Sequence, residues 1–208
     1  MNAMDGSVDR IKTGRKFDQV LEGARQVFMA DGFERASVDN IARVANVSKA
    51  TLYSYFPDKQ LLFMEVATNE CTRMADRIMA EIDETRPPRE VLLVAARHIT
   101  GFLLSDFAQQ VFRICVAERE RFPDLARAFF ASGPEMGRAR LSEYFASASE
   151  RGELVIDNFA MAAEQFSELC KAKLWNRAAF GIQTEFSPQE VDEVAREAVA
   201  TFMARYGA

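Results

Sequence analysis

Two serines eleven residues apart, Ser37 and Ser48, each open a short stretch of helical periodicity, and this pairing constrains the chain more than any other feature. Serine favours helix N-termini because its hydroxyl oxygen accepts from an N–H that the first turn leaves unpaired. Behind Ser37, the residues Val38, Ile41, Ala42 and Ala45 fall on one helical face, which predicts a helix of only two turns. Asn46-Val47 then forms a turn in which asparagine tolerates a left-handed backbone. Ser48 caps a third helix over 49–55, and Phe56-Pro57 ends it, because the residue before proline avoids helical geometry. Ala42 and Ala45 are small, as expected where the third helix crosses the second closely, with Val47 filling the wedge between them. Ahead of this pair, Phe17, Val20, Leu21, Ala24, Val27 and Phe28 line one face of a longer helix that should stop near Asp31-Gly32. Two short helices behind a longer one are the parts of a helix-turn-helix DNA-binding module.

Asp58 restarts helix, with Leu61, Leu62, Met64, Glu65 and Val66 following it, and the remainder reads as more helix with almost no strand signal. The expected spans are 66–85, 90–105, 107–121, 124–132, 134–151, 159–180 and 188–206, with proline at nearly every junction. The predicted class is all-α: a three-helix N-terminal domain over 1–60 and a larger helical bundle over 61–208.

Composition narrows the function. With 208 residues, 49% apolar and 27% charged, the chain can bury a sizeable core, and its 10 glycines and 6 prolines exclude collagen-like or disordered character. No run of about 18 uncharged apolar residues occurs and residues 1–10 lack a hydrophobic signal segment, so the expectation is a soluble cytoplasmic protein with no membrane partner. Cys71, Cys115 and Cys170 are odd in number and widely spaced, which suits a reducing compartment. A single histidine, His98, and the lack of Cys-x-x-Cys or His-x-x-x-His spacing leave no usual zinc set, so no metal and no cofactor are expected. Glycine-rich phosphate and dinucleotide fingerprints and the Gly-x-Ser-x-Gly elbow are missing too. An enzyme using Cys115 with His98, or Glu118 with Glu120, is not supported, since nothing orients the first pair and residues two apart on a helix diverge.

Charge is divided unevenly: residues 1–60 carry a net +1 and residues 61–208 a net −6. Arg10, Lys12, Arg15 and Lys16 cluster ahead of the first apolar stripe, either as an arm that meets phosphates or as a solvated tail. Basic residues at 12, 15, 16, 43, 49 and 59 can share a face while Asp18, Glu22 and Asp39 turn away.

The contiguous run from Gly32 to Lys59, including Val47-Ser48-Lys49-Ala50-Thr51-Leu52-Tyr53-Ser54-Tyr55-Phe56 and a lysine three residues after the phenylalanine, resembles the N-terminal domain of the tetracycline-repressor (TetR) family of bacterial transcriptional regulators. Asn46 stands where the family commonly has glycine, and Ser37 where threonine is more usual. Residues 116–127, with Gly133-Pro134 and 151–154, resemble a C-terminal domain subtype of the same family.

The resemblance implies a DNA-binding head, a connecting fourth helix and a C-terminal domain for effector binding and dimerisation. By similarity, Lys49, Thr51, Tyr53 and Tyr55 lie on the recognition helix or its end, facing bases and phosphates of the major groove, with Ser48 in the same DNA-binding set. Ser37 and Lys59 are implied phosphate anchors, and Arg43, on the outer face of the second helix, is a candidate base or phosphate contact. Leu52 and Phe56 should be core, and one of the two tyrosines is as readily packing as contact.

The last two helices carry apolar stripes, Phe166, Leu169, Cys170 and Leu174 on one and Val191, Val194, Ala195, Ala198, Val199 and Phe202 on the other. These suit either a four-helix bundle between two subunits, as the resemblance implies, or packing within one chain. A homodimer would present two recognition helices about 34–36 Å apart and read a palindromic operator in double-stranded DNA. In the family, a small-molecule effector in the C-terminal domain tilts the connecting helix and lowers operator affinity. Candidate pocket residues are Phe63, His98, Phe102, Phe112, Arg113, Cys115, Tyr144 and Trp175, although an aromatic on a helix is more often core than pocket and a lone histidine more often a packing residue. Seventeen phenylalanines and nine methionines hint at an apolar effector. The expected function is a repressor released by such an effector; the alternative is a helical effector-binding or adaptor dimer that does not bind DNA.

Overall fold

In a computed structural model of the chain, which describes residues 14–83, 85–117, 119–120 and 123–208, both serine caps form. Ser37 Oγ accepts from Asn40 N at 3.1 Å to start α2 (Val38–Val44), and Ser48 Oγ accepts from Thr51 N at 3.0 Å to start α3 (Lys49–Tyr55). Asn46 adopts φ 53°, and Val47 N reaches back to Ala42 O at 3.0 Å, so the turn is a left-handed Schellman closure of α2. The first helix, α1 (Arg15–Arg35), leaves helical geometry at Gly32, where φ is 74°. Asp58 Oδ1 accepts from Leu61 N at 2.8 Å, starting the long α4 (Lys59–Glu81). Arg10, Lys12, Glu118, Arg121 and Phe122 lie outside the described residues.

Two compact units divide between Val66 and Ala67, partway along α4. The first holds Val20, Ile41 and Leu52 almost fully buried, with Phe17 stacked 5.4 Å from Phe56. Phe63 packs its ring 4.9 Å from Phe28 and 5.1 Å from Phe33. Its place in this core lies in a unit that runs to Val66, and Phe63 packs within the head. Ala45 also lies against α1: a Cβ on Gly23 would lie 2.6 Å from the Ala45 Cβ, so α1 closely approaches the end of α2.

The second unit contains the remainder of α4 followed by α5 (Pro88–Leu104), α6 (Asp106–Ala117), α7 (Pro123–Phe130), α8 (Met136–Glu150), α9 (Phe159–Leu169), α10 (Trp175–Ala179) and α11 (Pro188–Tyr206). A π turn over Ala131–Glu135 joins α7 to α8 and absorbs Pro134, which supplies no N–H to a regular helix. The core centres on three rings: Phe145 and Phe202 stack at 4.8 Å, and Phe166 meets Phe202 edge-on at 5.2 Å. Each of these rings contributes about 1.5–3 kcal/mol by its removal from water.

One expected helix is two. The span 159–180 breaks between α9 and α10, where Lys173 takes φ 67°. In an unbroken helix the Cys170 carbonyl would accept from Leu174 N; instead it accepts from the buried Thr100 hydroxyl at 3.1 Å, and Leu174 N turns to Ala172 O at 2.7 Å. The kink drives Leu174 against Leu104, Ala178 and Val194.

Candidate nucleic-acid interface

The inward side of α3 is set by Leu52, 1% exposed, and its outward side therefore carries Lys49, Ala50, Tyr53 and Ser54. Tyr53 projects into solvent at 49% exposure, with its ring free for an apolar or hydrogen-bonding contact. Tyr55, by contrast, is half-buried, its ring edge-on to Phe17 at 5.7 Å, so the two tyrosines divide into one outward and one packing residue. Thr51 is half-buried, and its hydroxyl shares a 2.8 Å hydrogen bond with Ser48 Oγ.

Charge on this face is partly neutralised internally. Lys49 forms an ion pair with Asp39, which therefore does not turn away from the basic face as expected. Both partners are more than half exposed, so the pair contributes little stability and an incoming phosphate can replace the carboxylate. Arg43 is exposed and donates from Nη2 to Asn40 Oδ1 at 2.6 Å. Asn40 also donates to Asp31 Oδ2 at 3.3 Å and gives its backbone N–H to Ser37, so one side chain ties the cap of α2, the end of α1 and Arg43 together. Asn40 was not singled out in the sequence; its position three residues after the capping serine is the signal that could have found it.

Lys59 has two acceptors within the head. Its Nζ donates to Phe33 O at 2.9 Å and to Ala36 O at 3.1 Å, and sits 4.3 Å from the centre of the Phe33 ring. The ammonium thus closes the end of α1 onto the start of α4, where a cation complements the unpaired carbonyls of a helix end.

Of the predicted effector residues, Phe112 and Trp175 are in direct contact. Tyr144 is buried in the core of the second unit. His98 Nε2 lies 2.7 Å from Glu81 Oε2 at the surface, and Arg113 is exposed. Phe112 meets Trp175 edge-on at 5.0 Å, while Phe102 and Cys115 are half-buried. Burial pushes the Cys115 thiol up to about 11, and pushes Cys71 and Cys170 to about 12, so all three are neutral at physiological pH. A groove of about 760 Å³ opens elsewhere on this unit, lined by Arg97, Leu104, Asp106, Phe186, Val191 and Asp192 among others, and none of the eight predicted residues lines it.

The apolar stripes of the last helices are likewise spent inside the chain. Phe166, Cys170, Leu174, Val194, Ala195, Ala198, Val199 and Phe202 are all buried within one subunit, with Leu169 and Val191 half-buried against them.

Residues 20–66 match the family model of bacterial regulatory proteins of the tetR family, and residues 90–208 match that of the AefR-like transcriptional repressor C-terminal domain. A TetR-family transcriptional regulator from Mesorhizobium loti is 26% identical, with a TM-score of 0.80 over 93% of this chain and 98% of that one. The flavonoid-responsive regulator FrrA is 31% identical, with a TM-score of 0.67 over 94% of this chain and 98% of its own. The HTH-type transcriptional repressor AcnR of Corynebacterium diphtheriae is 30% identical over 91 residues, which are 44% of this chain and 47% of that protein. The chain spans less than half the length of the curated relatives it matches. It belongs to the tetR family of bacterial regulatory proteins.

Proposed function

We propose that the protein is a cytoplasmic transcriptional repressor that binds a palindromic operator as a homodimer and is released by a small apolar effector held in its C-terminal domain. The observation that carries this reading is α3 itself: Lys49 and Tyr53 stand outward from a helix fixed by Ser48, Leu52 and the left-handed Asn46 turn. Such an element fits the major groove, where side chains meet base edges while helix N-termini and basic residues meet phosphates. Lys49, Tyr53 and Arg43 are the proposed direct contacts, and Ser37 and Ser48 place backbone N–H groups toward phosphates. Thr51 supports the cap, Tyr55 packs the end of α3 against Phe17, and Lys59 ties the end of α1 to the start of α4.

Effector release requires only that the ligand bind more tightly to the state that cannot hold DNA. The name of FrrA, together with the 17 phenylalanines of this chain, makes flavonoids the first compounds to try. Footprinting on DNA flanking the protein's own gene, repeated across salt, tests the reading. Protection of an inverted repeat is expected, with log affinity falling linearly against log salt as counterions leave the phosphates. Equal affinity for every duplex at each salt concentration would overturn it.

A further inference from the structure

Two cations of the head are held by consecutive residues of α2, and the two holders differ in charge. Asp39 and Arg43 are four residues apart and share a helical face, and Lys49, from the start of α3, reaches Asp39 as an ion pair. Arg43 therefore lies one turn along the face that Lys49 meets, and the carboxylate nearest to it on that face is already taken. Its Nη2 donates instead to the neutral amide oxygen of Asn40 at 2.6 Å, and it pairs with no carboxylate among the described residues. The guanidinium is thus pinned at one nitrogen while its charge stays uncompensated, with Nη1 and Nε left to donate.

The holder is itself aimed. An asparagine amide has a donor end and an acceptor end of nearly equal size, and either could face the guanidinium. Asp31, near the end of α1, sets the direction: Asn40 Nδ2 donates to Asp31 Oδ2 at 3.3 Å, which turns Oδ1 toward Arg43. A reversed amide would put donor against donor at Arg43 and acceptor against acceptor at Asp31. The backbone that carries the amide is fixed as well, since the Asn40 N–H belongs to the Ser37 cap. Asp31 and Asn40 are both half-buried, so water competes less for their bond than it would on an open surface.

A phosphate has no need of such a relay, because its oxygens accept from a mobile cation over a wide range of directions. A base edge does need it. The two-pronged contact of an arginine with guanine O6 and N7 demands one orientation of the fork, and a fork fixed before docking loses less freedom when it docks. We infer that Asp31 and Asn40 are positioning residues for sequence recognition, acting through Arg43, which meets a guanine edge rather than a phosphate. This rests on the place of Arg43 among the DNA contacts proposed above and gives that contact its chemistry.

The test begins with the duplex that the wild-type chain enriches from a random pool. Affinities of variants are then measured for that duplex and for versions with each G·C pair exchanged, across salt. Asn40→Ala keeps the Ser37 cap, which uses only the backbone N–H, and alanine favours helix over asparagine, so its melt should hold. Expected is a loss of about tenfold in preference at one G·C pair with Arg43→Ala, and of at least about threefold at the same pair with Asn40→Ala. The double variant should lose no more than Arg43→Ala alone, because the two side chains act as one unit. Asp31→Ala should give a smaller loss at that pair, and none where residue 40 is already alanine. Lower affinity for every duplex alike in Asn40→Ala, with the choice of base unchanged, means a merely structural part and overturns the relay. Losses that add independently overturn it too. If Arg43→Ala lowers the salt slope and leaves base preference intact, Arg43 meets phosphate, and the inference fails while the DNA-binding reading stands. A wild-type chain that enriches no sequence overturns both.

Discussion

Gly23 and Ala45 approach so closely that a Cβ on the glycine would stand 2.6 Å from the Ala45 backbone nitrogen and 2.7 Å from its Cα. The contact sets how near α1 lies to the end of α2, and through the Asn46 turn it fixes the direction in which α3 leaves. Gly23→Ala gains about 0.5–1 kcal/mol of helix propensity, but the clash is with backbone, which has no rotamer to escape through. Overpacking costs of about 1–3 kcal/mol win. The expected outcome is a head that melts several degrees lower, at about 4–8 °C per kcal/mol for a domain of this size, with operator binding weakened in parallel. An unchanged melt would show that α1 and α2 can separate without cost.

Lys59 links a stability prediction to a binding one. Lys59→Met removes two charge-assisted bonds to Phe33 O and Ala36 O, leaving both carbonyls to water or to nothing. A loss of about 1–2 kcal/mol is expected after allowance for the partial exposure of the site. Because the ammonium is engaged within the head, the slope of log affinity against log salt should not change. Lys49→Ala should do the reverse, leaving the melt unaltered while lowering the slope by about one. If Lys59→Met lowers the slope by the same amount, its ammonium reaches phosphate after all.

What could be read from sequence was whatever depends on a few neighbouring residues. Ser37, Ser48, Asn46 and Pro57 act on the backbone within one turn of themselves, so caps, turn and helix ends were legible. Interactions across the fold were not. At the break after Leu169 the freed Cys170 carbonyl is met by a hydroxyl seventy residues away on Thr100, and Lys59 meets carbonyls more than twenty residues back. Helical spacing showed that Phe166, Leu174, Val194 and Phe202 would be covered, but periodicity does not say by which chain. The same limit applies to Phe63, an aromatic whose neighbours Phe28 and Phe33 become visible only once α1 and α4 are packed.

The two tyrosines of α3 should separate under mutation. Tyr53→Ala removes a side chain that is 49% exposed, so the melt should hold while affinity for the preferred operator falls about tenfold or more and discrimination between sequences relaxes. Tyr55→Ala removes the edge-on contact with Phe17 and should cost about 1 kcal/mol of stability with little change in sequence preference. Binding-site selection from a random pool, run beside thermal melts of both variants, reads the two effects separately. Swapped phenotypes would mean that the outward face of α3 is not the face that meets the bases.

Acid should loosen the start of α11 through one carboxylate. Gln183 Nε2, then the Ser187 backbone N–H and hydroxyl, hold the Glu190 carboxyl down at about 2, against an ordinary value of 4.5. A carboxylate whose value is depressed on folding adds stability that is complete above its unfolded value and disappears as pH falls through the folded one. The window is therefore from about pH 4.5 down to about 2, with no dependence at neutral pH. Glu190→Gln cannot accept as an anion, so its melting temperature should lie below that of the wild type at pH 6 and the gap should close as pH is lowered through the window. Melts of both proteins at half-unit steps from pH 6 to pH 2 measure the gap directly. A difference that stays constant across the range would place the stabilising role of Glu190 in its shape rather than its charge.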